Sequence, residues 1–151
     1  MNRREFLGAT AVSPLAFQSG SGSQADFQSL FDGRTLTGWT IAEGSESAFY
    51  VENGEIVSSP NSAYPAWLRS NGEYENFDFR CDFFVRGWTD GGVYFHAPEH
   101  GRRMWVGKQI KLFHQQETEA KPNSMGAIFP VVAPSKVVVK NKGEWNQLRI
   151  L

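Results

Sequence analysis

A single cysteine, Cys81, stands in 151 residues, so no disulfide can form within the chain and stability has to come from packing. Phe77, Phe79 and Phe83 alternate with it, which puts the sulfur on the apolar face of a strand, where a thiol behaves as a small hydrophobe. Neither sign of charge is in excess: 15 Lys and Arg face 16 Asp and Glu. A phosphate backbone therefore has no basic field to meet, and nucleic acid is excluded as an expected partner. Long apolar runs are missing too, and a transmembrane helix, which needs about 20 such residues, is not expected.

The N-terminus carries the nearest thing to an apolar run. Arg3-Arg4 is followed by Phe6-Leu7 and a short apolar stretch to Phe17 that Pro14 interrupts, and Ser19-Gly20-Ser21-Gly22-Ser23 then forms a linker by composition. Residues 1–25 are expected to be a twin-arginine-type signal peptide with its linker, exporting the protein to the periplasm or the extracellular space. Residues 26–151 have room for one domain with its own core.

Gly, at 15 residues, and Phe, at 12, are abundant, and long helical periodicity is absent, so the domain is expected to be all-β. Trp39, after two turns, is expected to plug one end of the core. Residues 49–57 read as a hairpin, because Asn53-Gly54 between apolar runs favours a type I′ turn. Further strands are expected at 67–70, 77–85, 92–96, 108–112, 137–140 and 145–151. Alternation puts Tyr94 and His96 on one face of their strand, and Gln109 and Lys111 on one face of theirs. The chain stops inside the last strand, which reads as a sandwich truncated at its C-terminus.

Several chemistries are excluded. No close carboxylate pair sits on the strand around Gln109, Lys111 and His114; the nearest acids, Glu117 and Glu119, lie beyond its end, so an ordinary retaining glycosidase is not supported. His96 and His100 are separated by Pro98, which rules out the shared helical face of a zinc protease. There is no Gly-x-Ser-x-Gly elbow and no phosphate-cradling loop. A looser divalent-metal site could draw on Asp90, His96, Glu99 or His114.

Phe31-Asp32-Gly33, Leu36-Thr37-Gly38-Trp39, Val51-Glu52-Asn53-Gly54, Tyr74-Glu75-Asn76-Phe77-Asp78-Phe79-Arg80, Gly91-Gly92-Val93-Tyr94-Phe95, Gln109-Ile110, Gly126-Ala127-Ile128-Phe129 and Gly143-Glu144-Trp145-Asn146 form an ordered series. In order and spacing it resembles the 3-keto-disaccharide hydrolase family, also described as 3-keto-glucoside lyases and 3-keto-glucal hydratases. The resemblance implies a concanavalin-like jelly-roll sandwich of two antiparallel sheets acting on an oxidised disaccharide or related sugar. It also implies a chemistry that needs no carboxylate pair: a ketone at C3 acidifies the hydrogen at C2, one base forms an enolate that expels the C1 substituent, and water adds back. Such a site needs a base and an electrophilic group at the C3 oxygen. Candidates are His96 or Asp90 as base, Arg80, Lys111 and Gln109 around the oxyanion, and Tyr94 or Trp105 as stacking platform, with His114 nearby and a divalent metal as the cofactor to test.

The chain departs from the family pattern at three places. Asp90-Gly91-Gly92 stands for an Asn-Ser-Gly turn, Gly107 for a Glu two before the strand Gln, and Leu112 for an acid three after it. These departures motivate an alternative expectation, a non-catalytic carbohydrate-binding module on the same sandwich, and the abrupt end at Leu151 motivates a third, a structural or interaction domain or a decayed gene fragment.

Overall fold

Asn53 and Gly54 both have positive φ, 52° and 78°, the pair of left-handed residues that a type I′ turn demands. In this computed structural model they join β2 (Phe49–Glu52) to β3 (Glu55–Ser58), with Glu52 opposite Glu55 and Phe49 opposite Ser58. The structure describes residues 27–60, 65–100, 106–114, 118–137, 140 and 142–151. The expected export segment, Trp105, Glu117 and residues 138–139 of the expected strand 137–140 lie outside them.

The chain divides into two compact units, Met1–Glu73 and Tyr74–Leu151. In the first, the β2–β3 hairpin is accompanied by a ladder of β1 (Trp39–Glu43) on β4 (Trp67–Ser70), antiparallel, with a register shift between Ile41 and Glu43. Trp39 opens β1 half-buried, its indole N–H donating to the Leu30 carbonyl at 2.7 Å. Ahead of it, the Asp32 carboxylate accepts from the Thr35 hydroxyl and from the backbone N–H groups of Thr35 and Arg34, all at 2.7 Å. Those bonds, the Thr35 hydroxyl's above all, hold its pKa down at about 2. Gly44, at φ 104°, lies where a Cβ would meet Ala66 Cβ at 3.0 Å and fully buried Ala48 at 3.3 Å, so both space and backbone demand glycine there.

The second unit holds two ladders. β5 (Phe79–Phe84) pairs antiparallel with β9 (Trp145–Ile150), setting Cys81 opposite Leu148 and Phe79 opposite Ile150 on the apolar face. Burial pushes the Cys81 thiol up to about 11, with Asp82 adding to the shift, in keeping with an apolar role for the sulfur. On the other face Arg80 stands directly opposite Arg149, a like-charge pair that would repel. Asp78 removes the conflict by accepting bidentate bonds from both: 3.2 and 2.8 Å from Arg80, 2.9 and 2.8 Å from Arg149. Buried Asn146 anchors the approach to β9, its carbonyl oxygen accepting from Lys140 N at 2.9 Å.

The other ladder runs β6 (Asp90–Phe95), β7 (Lys108–Phe113) and β8 (Ile128–Phe129), antiparallel throughout. Two strands were not expected from the sequence, β1 and β8. One expectation is corrected: His96 does not continue the polar face of its strand. It falls one residue past β6 with φ 51°, and a left-handed residue cannot hold the extended pleat. Among the described residues every element with a full range is a strand, and the fold is all-β, built of several antiparallel ladders. Among the described residues no helix is long and apolar enough to cross a membrane.

Candidate active site

The register of the three-stranded ladder decides which side chains share a face. Tyr94 lies opposite Gln109, Gly92 opposite Lys111, Asp90 opposite Phe113, and Phe129 of β8 opposite Gln109. With the two-residue period of a strand, Asp90, Gly92, Tyr94, Gln109, Lys111, Phe113 and Phe129 therefore form one face. Val93, Ile110 and Leu112 take the other.

Lys111 is the centre of that face. It is only 5% exposed, and its ammonium pairs with the Asp90 carboxylate, which stays 59% exposed. Two rings flank the ammonium: the Phe129 centroid at 4.4 Å and the Phe113 centroid at 5.2 Å, both within cation–π reach. The main chain of Lys111 is clamped as well. Its N–H donates to Ala127 O at 3.0 Å and its carbonyl accepts from Gly126 N at 2.9 Å. That 124–127 turn is in turn held by buried Ser124, whose hydroxyl accepts from Lys121 N at 2.9 Å while its carbonyl accepts from Ala127 N at 3.1 Å.

Gln109, 6% exposed, lies two residues before Lys111 on the same face of β7. A Cβ on Gly92 would fall 2.2 Å from Ile110 O and 2.7 Å from Gln109 Cγ, so glycine is what lets the amide cross β6. At the edge of the ladder, the Thr89 carbonyl accepts from both the backbone N–H of His114, at 3.1 Å, and its Nδ1, at 2.7 Å. A carbonyl oxygen can only accept, so Nδ1 carries the hydrogen. The ring so fixed packs against Trp88, centroid to centroid 4.0 Å at 34°.

Of the residues singled out by sequence, Asp90, Gln109, Lys111 and Tyr94 come together on one face, with His114 past the end of β7. Arg80 stands on the β5–β9 ladder with its guanidinium on Asp78, and exposed His96 sets its ring at the edge of Phe95, 5.4 Å between centroids. Phe113, Phe129, Trp88 and the Gly126–Ala127 clamp were missed. The ordered Gly126-Ala127-Ile128-Phe129 block carried the only signal for the clamp. Among the described residues, no three or more His, Cys, Asp or Glu side chains gather closely enough to hold a metal ion. Of the four residues considered for such a site, Asp90 is engaged by Lys111 and His114 Nδ1 by Thr89.

Three comparisons bear on what this arrangement belongs to. Residues 26–151 match the family described as the 3-keto-alpha-glucoside-1,2-lyase-like domain. The fold is similar to the crystal structure of a candidate glycosyl hydrolase from Parabacteroides distasonis, with a TM-score of 0.65 at 21% identity over 81% of this chain. The chain spans 62% of the length of that structure, and the likeness is one of fold. No curated protein matches it. With a match that runs from residue 26 to the last residue, the chain belongs to the family of 3-keto-alpha-glucoside-1,2-lyase-like domains, a carbohydrate-processing family.

Proposed function

We propose that the protein cleaves or hydrates 3-keto-glycosides, by elimination followed by hydration, on the face built around Asp90 and Lys111. The observation that carries the reading is the pairing of an accessible carboxylate with a buried, ring-flanked ammonium. Asp90 takes the proton from C2 of the oxidised ring. The electron pair left behind forms the enolate, and negative charge moves from the carboxylate to the C3 oxygen. Lys111 serves both ends of that transfer, because its ammonium compensates the carboxylate before the step and the enolate after it. Low exposure strengthens the effect, since the charge is not diluted by water. The enolate collapses to expel the C1 oxygen, which leaves as the free sugar after taking a proton from water. Water then adds at C1 while Asp90 returns its proton to C2, and the sum is hydrolysis. Gln109 supplies amide hydrogen bonds on the same face.

The same reading takes the ladders as parts of a concanavalin-like jelly roll of two sheets, and places the protein outside the cytoplasm on the strength of Arg3-Arg4 and the apolar stretch that follows. A second reading is the non-catalytic carbohydrate-binding module, favoured by one observation: Asp90 already has its charge matched by Lys111. Incubation of the purified protein with a 3-keto-disaccharide, with and without added divalent metal, separates the two. Release of the oxidised and unoxidised monosaccharides supports catalysis and tests the metal in the same run. Saturable binding without products from a folded sample sinks catalysis in favour of the module.

A further inference from the structure

Trp88 is 81% exposed, the most solvent-accessible aromatic ring among the described large hydrophobics. A lone exposed apolar side chain asks for no explanation. This one differs in being held. One side of the indole rests on the His114 imidazole at 4.0 Å, and Thr89 O holds that residue twice, through its imidazole Nδ1–H and its backbone N–H. Phe113 packs against the same imidazole, 4.6 Å between centroids. The side of the indole away from His114 is therefore a flat, propped, solvent-facing surface, its rotamer freedom spent before any ligand arrives.

Its place along the chain gives the platform a partner. Trp88 lies in the bend that leads into β6, two residues before Asp90, and its ring continues a row through His114 to Phe113, whose ring flanks the Lys111 ammonium. The platform is therefore a neighbour of the position that Asp90 and Lys111 would give to the oxidised ring. We infer that Trp88 is the stacking platform for the second pyranose of a disaccharide, the ring that leaves, while the oxidised ring sits at Asp90 and Lys111. The C–H groups on one face of a pyranose carry partial positive charge and suit the negative face of an indole. Tyr94 stands farther along β6, on the other side of Asp90 from Trp88, so it would serve the opposite end of the ligand.

The inference rests on the proposed 3-keto-glycosidase reading, and its test separates the two. Wild type and Trp88→Ala are compared on 3-keto-trehalose, which has the second ring, and on methyl 3-keto-α-glucoside, which lacks it. Trp88→Ala is expected to raise KM for 3-keto-trehalose about tenfold, the factor that about 1.4 kcal/mol carries. Both its kcat and its KM for the methyl glycoside should stay within about twofold of wild type, and Trp88→Phe should recover most of the loss. An unchanged KM for 3-keto-trehalose, or an equal rise for both substrates, overturns the platform while leaving the enzyme reading intact. If wild type turns over neither substrate, the enzyme reading fails, and the platform is judged by NMR instead. A saturable trehalose-induced shift of the one indole N–H resonance that Trp88→Ala removes supports it, and no shift overturns it.

Discussion

Gln109 occupies the space that a side chain at Gly92 would need, with its Cγ and Nε2 at 2.7 and 2.8 Å from where a Cβ would sit. The neighbouring Gly91 has nothing within 4 Å of the same position. The two glycines are therefore predicted to behave oppositely. Gly92→Ala must push Ile110 and Gln109 aside, costing about 1–3 kcal/mol of stability by overpacking and most of the activity. Gly91→Ala should stay within about 0.5 kcal/mol of wild type in a denaturant titration. Equal tolerance at both positions would show that the amide does not depend on the gap.

Removing either member of the Asp90–Lys111 pair should abolish turnover by different routes. Asp90→Asn takes away the base, with a loss in kcat of about 10²–10⁴-fold, and leaves a buried ammonium without its carboxylate. Lys111→Met keeps the aliphatic stem between Phe113 and Phe129 and removes the charge. The melting temperature should accordingly fall in Asp90→Asn and hold or rise in Lys111→Met, while both lose activity. A Lys111→Met protein with near-normal kcat would end the oxyanion role.

Acid sensitivity is predicted from two carboxylates. Asp78, held well below the usual range by Arg149 first and Arg80 second, and Asp32, held at about 2, are both more acidic folded than unfolded. Their stabilisation is present above the unfolded carboxylate pKa of about 4 and drains away as pH falls below it toward the folded values. Asp78→Asn should lower the melting temperature at pH 7 modestly and flatten its decline between about pH 4 and pH 2. The effect is small because both groups face water, where ion pairs are screened. A variant as acid-sensitive as wild type would mean that Asp78 does not relieve the Arg80–Arg149 conflict.

Cys81 should alkylate slowly. With its thiol pushed up to about 11, little thiolate is present at pH 8, and iodoacetamide should label the folded protein far more slowly than the denaturant-unfolded chain. Matching rates in the two states would contradict burial of the sulfur.

Local chemistry explains which parts of this architecture could be read from the residues alone. The Asn53-Gly54 hairpin, β4 and β7 announce themselves through turn type and two-residue alternation, both properties of neighbouring residues. β1 did not, because its partner β4 begins 24 residues after β1 ends, and β8 has only two residues in which to show a period. On the site, alternation put Gln109 and Lys111 on one face, and polar residues on a strand face read as solvated. Their burial comes from Phe113 and Phe129, and the Phe129 contribution follows only from the β7–β8 register. Trp88 falls in a bend between strands, where no pattern marks it. The departures from the family pattern also look different in three dimensions. Gly92, the position shared with the Asn-Ser-Gly turn, is the one with a steric duty, and Leu112 points to the face away from Lys111.

The clamp on the Lys111 backbone joins two roles in a single residue. The peptide that seals β7 to the Gly126–Ala127 turn also carries the ammonium that meets Asp90. A change in the length or composition of the turn that ends at Ala127 would thus slide the charge along the ladder without touching any residue that meets a sugar. Selection for a new substrate has there a fine adjustment, remote in sequence from the chemistry and mechanically continuous with it.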